Sequence, residues 1–153
     1  RARTVLNGLI SILDNEPAAK WVLVHDAARP CLSRAELERL LKKGLACEDG
    51  AILACPVSDT LKWAGEDGRI DRTIDRSHCW AAQTPQLFPV RKLAEQLQNA
   101  LNSGEAPTDE AAAMERAGAR PVLVQGSPAN FKITGPDDLA LAEFVLQNQV
   151  VTE

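Results

Sequence analysis

Short continuous apolar runs alternate with helix-period stripes along most of this chain, and that alternation sets its expected architecture. Val5, Leu6, Leu9, Ile10 and Leu13 recur at the spacing of one helix face and stop before Pro17. Trp21-Val22-Leu23-Val24 has no polar alternation, so it reads as a strand buried on both faces of a parallel sheet. Ser33 opens a second helix. Glu36, three residues on, completes a capping box, and Leu37, Leu40, Leu41 and Leu45 form its buried stripe. Ala51-Ile52-Leu53-Ala54-Cys55-Pro56 is a second interior strand. Helices alternating with buried strands predict an α/β layered, mostly parallel sheet flanked by helices.

The period then drops to two. Leu61 and Trp63 alternate with Thr60 and Lys62, Gly65-Glu66-Asp67-Gly68 supplies turn residues, and Ile70, Arg72 and Ile74 resume the alternation. This predicts a β-hairpin arm over about residues 58–80. An isolated hairpin is marginal in water, so Trp63 should pack on something, its own domain or a partner subunit. Gln83 to Phe88 reads as a loop or short extended piece, and Val90 to Leu101 as an amphipathic helix. Thr108-Asp109-Glu110 opens another helix that stops at Gly118, where Asp109 is a helix-start residue favoured by the dipole. Pro121 to Val124 makes a strand and Phe131-Lys132-Ile133 a final short one. Thr134 caps the closing helix, which runs from Pro136 through Leu146. The whole chain, residues 1–153, is read as one domain with an inserted arm.

Composition narrows the function classes. The 153 residues are 45% hydrophobic and 25% charged, values ordinary for a globular domain. A net charge of −4 with no Lys/Arg tract argues against nucleic acid as a partner. No apolar stretch approaches the ~20 residues of a membrane span. Cys31, Cys47, Cys55 and Cys79 form no C-x-x-C pair, and with His25 and His78 as the only histidines a zinc site is not expected. Free thiols suit a reducing compartment, so the protein is expected in the cytoplasm. The chain starts at Arg1 inside a helix-like pattern, which leads us to expect that a preceding part of the sheet is missing.

Ligands in such sheets sit beyond the carboxyl ends of the strands. Polar residues at those ends are Asp26 and Arg29, then Ser58, Asp59, Thr60 and Lys62, then Lys132 and Thr134. The set holds cations and one well-placed acid but no nucleophile paired with a base. Adjacent side chains on a strand point to opposite faces, so Asp26 could not orient His25 in a hydrolytic triad. Cations around a lone carboxylate suit a Mg²⁺-bound polyphosphate instead.

Six segments carry a resemblance: V-H-D-A-A-R-P (24–30), V-S-D-T-L-K (57–62), T-I-D-R-x-x-x-W (73–80), Q-T-P-Q-L-F (83–88), T-D-E-A (108–111) and N-F-K-I-T-G-P-D-D-L (130–139). In order and spacing the chain resembles the 2-C-methyl-D-erythritol 4-phosphate cytidylyltransferases. The resemblance implies a Rossmann-like fold, a homodimer joined through the β-arm, and transfer of CMP from CTP to 2-C-methyl-D-erythritol 4-phosphate with release of pyrophosphate and help from Mg²⁺ or another divalent cation. By position it implies that Asp26 contacts metal and CTP and that Thr4 lies near the nucleotide. Asp59, Thr60, Arg76 and Lys132 would surround the methylerythritol phosphate, and Arg29 would lie close to the substrate. Arg76, on the arm, would serve its own or the neighbouring subunit's site.

The same segments are shared in part with ribitol 5-phosphate cytidylyltransferases, from which D-T-L-K and T-I-D-R-x-x-x-W set this chain apart. One family feature is absent from the 153 residues: a glycine-rich loop of the type P-A-A-G-x-G, followed by an arginine and a lysine, whose amides cradle the triphosphate. The expectation is that these residues form the C-terminal two thirds of an enzyme and are inactive alone. A non-catalytic dimerisation remnant is the reading from a different class.

Overall fold

The computed structural model describes residues 1–149. Its elements run α1 (Ala2–Asn15), β1 (Trp21–Val24), α2 (Arg34–Gly44), β2 (Ala51–Pro56), β3 (Leu61–Ala64), β4 (Ile70–Ile74), β5 (Trp80–Pro89), α3 (Val90–Asn102), α4 (Glu110–Arg116), β6 (Val122–Gln125) and α5 (Pro136–Gln149). Four strands form one sheet in the order β1-β5-β2-β6, and β3 with β4 forms a separate two-stranded sheet.

Three strands of the main sheet, β1, β2 and β6, point the same way, in keeping with the expected parallel character. β5 opposes them and pairs antiparallel with both β1 and β2. Alternate residues of β2 and β5 feed two cores. Ile52 and Phe88 join Leu6, Leu9, Leu93, Leu97 and Met114 on the face covered by α1, α3 and α4. Ala51, Leu53 and Leu87 join Leu40 and Val124 on the face covered by α2. Both sheet faces are therefore dry at the centre, giving the expected Rossmann-like layering. Gly50 turns into β2 at φ 81°, where a Cβ would also collide with the Leu87 carbonyl and the Phe88 ring.

Five expectations need correction. β1 is not buried on both faces: it lies at the edge of the described sheet, and Leu23 is 38% exposed. Gln83 to Phe88 is no loop but the buried stretch of β5, the longest strand described. Its prolines and polar residues disguise it, and Pro85 is tolerated because the register with β2 shifts between Ile52 and Ala54, opposite it. Phe131 to Ile133 forms no strand, although the Ile133 N–H donates to the Ala28 carbonyl at 2.8 Å. Thr134 does not cap α5 by accepting. Its N–H and hydroxyl both donate to Asp138 Oδ2, which also accepts from the Gly135 N–H. Leu45 points outward, 51% exposed.

The capping box is present as expected, with Ser33 Oγ accepting from the Glu36 N–H and the Glu36 carboxylate accepting from the Ser33 N–H. Asp109 caps α4 through the Ala112 N–H. The hairpin forms at the expected place, with Arg72 stacked 5.0 Å over Trp63. Trp63 and Ile70 remain 53% and 64% exposed.

Candidate active site

β1 ends at Val24, and the next residues bend away from the sheet in a turn closed by the Arg29 N–H donating to the Asp26 carbonyl at 2.9 Å. Here two cations grip one carboxylate. Asp26 Oδ1 accepts from Arg1 Nη2 at 3.2 Å and Nε at 3.3 Å, and Oδ2 accepts from Lys132 Nζ at 3.1 Å. The same Arg1 Nη2 donates to Glu110 Oε2 at 2.9 Å, so one guanidinium bridges two carboxylates. A third cation, Arg29, lies close enough to feel the Asp26 charge. Its Nη1 donates to the Asn130 carbonyl at 2.7 Å, while its buried Nε has no partner in the structure.

Burial pushes the Asp26 carboxyl upward, yet the Lys132 hydrogen bond and the Arg1 charge outweigh it and hold the group below the usual carboxylate range. Glu110 goes the other way: its side chain is 1% exposed, and burial raises it against the opposing pull of Arg1. Burial also lowers Arg29, which as a guanidinium stays charged. Asp26 is thus an anion at neutral pH among three cations.

The backbone behind Asp26 is held by β5. Thr84 Oγ1 accepts from the Asp26 N–H at 3.0 Å and lies 2.9 Å from His25 Nδ1, while His25 Nε2 lies 3.0 Å from the Arg29 carbonyl. A carbonyl can only accept, so Nε2 carries a proton, and in the neutral ring Nδ1 accepts from the threonine hydroxyl. Both ring nitrogens are then occupied, and His25 is a strut for the turn. Burial and the nearby Glu36 push the Cys55 thiol up against the pull of Arg29, which disfavours its thiolate form. The arrangement can bind and align an anion, and it holds no activated nucleophile for covalent chemistry.

Of the residues singled out from the sequence, the fold brings Asp26, Arg29 and Lys132 together. Thr4 is exposed on α1, one turn after Arg1, and Asp59, Thr60 and Arg76 are exposed at the two ends of the hairpin. No hydrogen bond or ion pair joins these four to Asp26. Sequence reasoning missed Arg1, Glu110, Thr84 and Asn130. The last three stand inside matched segments, and nothing local marks Arg1. As for a metal, the described residues contain no cluster of three or more His, Cys, Asp or Glu side chains that could hold one. A lone carboxylate with hard oxygen donors fits Mg²⁺ only in the mode where phosphate oxygens complete the shell. No helix among the described residues is long and apolar enough to cross a membrane.

Comparison with known proteins identifies the family. The family model described as "IspD: 2-C-methyl-D-erythritol 4-phosphate cytidylyltransferase" matches residues 1–148. The enzyme of that name from Tolumonas auensis is 50% identical over 149 residues, 97% of this chain and 63% of the relative. The one from Stenotrophomonas maltophilia strain R551-3 is 54% identical, again over 97% of this chain and 64% of the relative. A crystal structure of a 4-diphosphocytidyl-2C-methyl-D-erythritol synthase superposes with a TM-score of 0.84 at 45% identity, over 95% of this chain and 67% of that one. The Francisella tularensis cytidylyltransferase gives the same TM-score at 34% identity and the same coverage. This chain spans a little under two thirds of the length of the curated relatives it matches. On the match of the family model to nearly every residue, this chain belongs to the 2-C-methyl-D-erythritol 4-phosphate cytidylyltransferase family.

Proposed function

We propose that this chain carries the acceptor half of a cytidylyltransferase site, which binds 2-C-methyl-D-erythritol 4-phosphate and aligns its phosphate for attack on the α-phosphorus of CTP. The observation that supports this most directly is the convergence of Asp26, Lys132, Arg29 and Arg1 at the end of β1, cationic on balance and without a nucleophile. Attack by an anionic phosphate oxygen needs no covalent enzyme intermediate and little proton transfer, so alignment and charge stabilisation suffice. Lys132 and Arg29 neutralise the acceptor phosphate, each from a loop pinned to the sheet. Asp26 would hold Mg²⁺ jointly with the nucleotide phosphates. When bound, the ion supplies neutralisation of the triphosphate oxygens. Arg1 and Lys132, which occupy both oxygens of Asp26, would then turn toward phosphate.

Thr4 in this reading lies on the nucleotide side, and Asp59, Thr60 and Arg76 belong to the acceptor phosphate. Because those three are exposed at the ends of the arm and make no hydrogen bond or ion pair with their own Asp26, we assign them to the site of a second subunit in a homodimer joined through the β3–β4 hairpin. The exposed Trp63 and Ile70 supply the apolar surface for that contact. Four free cysteines suit a reducing compartment, and we place the protein in the cytoplasm.

The test has two parts. Calorimetry should show the chain binding 2-C-methyl-D-erythritol 4-phosphate in preference to ribitol 5-phosphate, and failure to bind either refutes the assignment. Release of pyrophosphate from CTP by these 153 residues should be negligible, since no glycine-rich triphosphate loop lies among them. Robust turnover would show that the cradle is not required.

A further inference from the structure

Residues 126–134 form neither helix nor strand, yet this loop delivers Lys132 to Asp26 with an ion-pair distance of 3.1 Å. A flexible four-carbon ammonium on an irregular loop would be a poor instrument for alignment unless the backbone beneath it were held. Three cross-links hold the stretch from Asn130 to Ile133. The Asn130 Nδ2 donates to the Thr84 carbonyl at 2.9 Å, the Asn130 carbonyl accepts from Arg29 Nη1 at 2.7 Å, and the Ile133 N–H donates to the Ala28 carbonyl at 2.8 Å. Two of the three run through Asn130, which is 0% exposed. Its N–H also closes the 127–130 turn on the Ser127 carbonyl at 3.0 Å.

Burying a primary amide is unfavourable unless its groups find partners, and Asn130 Oδ1 is shielded without one. An apolar side chain would fill the space without that penalty, so the amide's value lies in the bond that Nδ2 makes. The strand residue it grasps is the one whose hydroxyl accepts the Asp26 N–H. Thr84 and Asn130 therefore tie Asp26, Arg29 and Lys132 to a single point on β5.

We propose that Asn130 is a positioning residue of this site: its buried amide sets the loop so that Lys132 meets Asp26 and so that its own carbonyl seats Arg29. The effect on substrate rests on the acceptor-phosphate reading given above, whereas the placement of the loop does not. Without the Nδ2 bond the Asn130 side chain no longer anchors the loop to β5, the Arg29, Ile133 and Ser127 links are left to hold it, and the loop opens more often.

The experiment compares the chain with its Asn130→Ala and Asn130→Asp variants, the second being isosteric but lacking the donor. Amide exchange of Ile133 is expected to accelerate about tenfold or more in both, as befits loss of one buried hydrogen bond, while Leu53 in β2 keeps its protection. The Nε–H resonance of Arg29 should shift in both variants. Affinity for 2-C-methyl-D-erythritol 4-phosphate should fall about tenfold, an effect that a purely structural role would not produce at unchanged Leu53 protection. Unchanged Ile133 exchange and an unchanged Arg29 signal would overturn the proposal. So would equal loss of protection at Leu53, which would mark Asn130 as a general scaffold residue. Unaltered affinity in variants that do loosen the loop would overturn it as well. If the parent chain binds no acceptor phosphate, the functional assignment falls, and the exchange and Arg29 measurements alone decide whether Asn130 sets the loop.

Discussion

Replacing Lys132 by alanine separates stability from binding, because the two effects differ in size. The Lys132 side chain is 45% exposed and its partner Asp26 19%, so solvent screens the pair. Such ion pairs contribute about 0.2–1 kcal/mol to folding. With a urea m-value of about 2 kcal/mol/M, the midpoint should move by less than about 0.5 M. Against a bound phosphate the same ammonium makes a charge-assisted hydrogen bond, worth about 1.5–3 kcal/mol. That predicts an affinity for 2-C-methyl-D-erythritol 4-phosphate lowered about 10- to 150-fold. Calorimetry and urea unfolding on the same samples measure both. Linkage adds a second signature. The Asp26 carboxyl is depressed in the fold, so its stabilisation is present above the unfolded value of about 3.9 and is lost as pH falls through the folded value. Without Lys132 the folded value rises, and part of this contribution disappears. Affinity within threefold of the parent would refute the role given to Lys132, and a midpoint lowered by more than about 1 M would show it to be a structural residue.

Three other outcomes are expected. Glu36→Ala removes a carboxylate that accepts from the Ser33 N–H and hydroxyl and, at 2.7 Å, from the Ser127 N–H. Losing the reciprocal half of the capping box and orphaning a partly buried donor should cost about 2–4 kcal/mol, seen as a urea midpoint lower by about 1–2 M; a change under 0.5 kcal/mol, taken as roughly one missing hydrogen bond's lower limit, contradicts this. Glu110→Gln should flatten the pH dependence of stability on the mildly acidic side. The folded Glu110 carboxyl is raised by burial, so its contribution is full below the unfolded value and fades as pH climbs through the folded one. Parallel stability curves for variant and parent would contradict that. Trp63→Glu combined with Ile70→Glu should leave the fold intact and turn a dimer into a monomer in sedimentation velocity, since both side chains are more than half exposed. An unchanged sedimentation coefficient argues against the arm as the dimer contact.

Local pattern alone determined the helices, the strands at Trp21–Val24 and Ala51–Pro56, the Ser33–Glu36 capping box and the hairpin, because each depends on spacing within a few residues. It also exposed Asp26, Arg29 and Lys132 as polar residues at the edges of apolar runs. What periodicity could not reveal is carried by partners far apart in the chain. β5 looks like a loop because Gln83, Thr84 and Gln86 interrupt its apolar residues. Buried in the fold, these side chains find their bonds at Ser127, Asp26 and Asp109, 44, 58 and 23 residues away. Lys132 meets Asp26 across 106 positions, and Arg1 meets Glu110 across 109. A polar residue inside a strand is costly until a distant donor or acceptor satisfies it, and no window of neighbouring residues contains that partner. The chemistry of this site was therefore readable as residue types, whereas its assembly belongs to the folded chain.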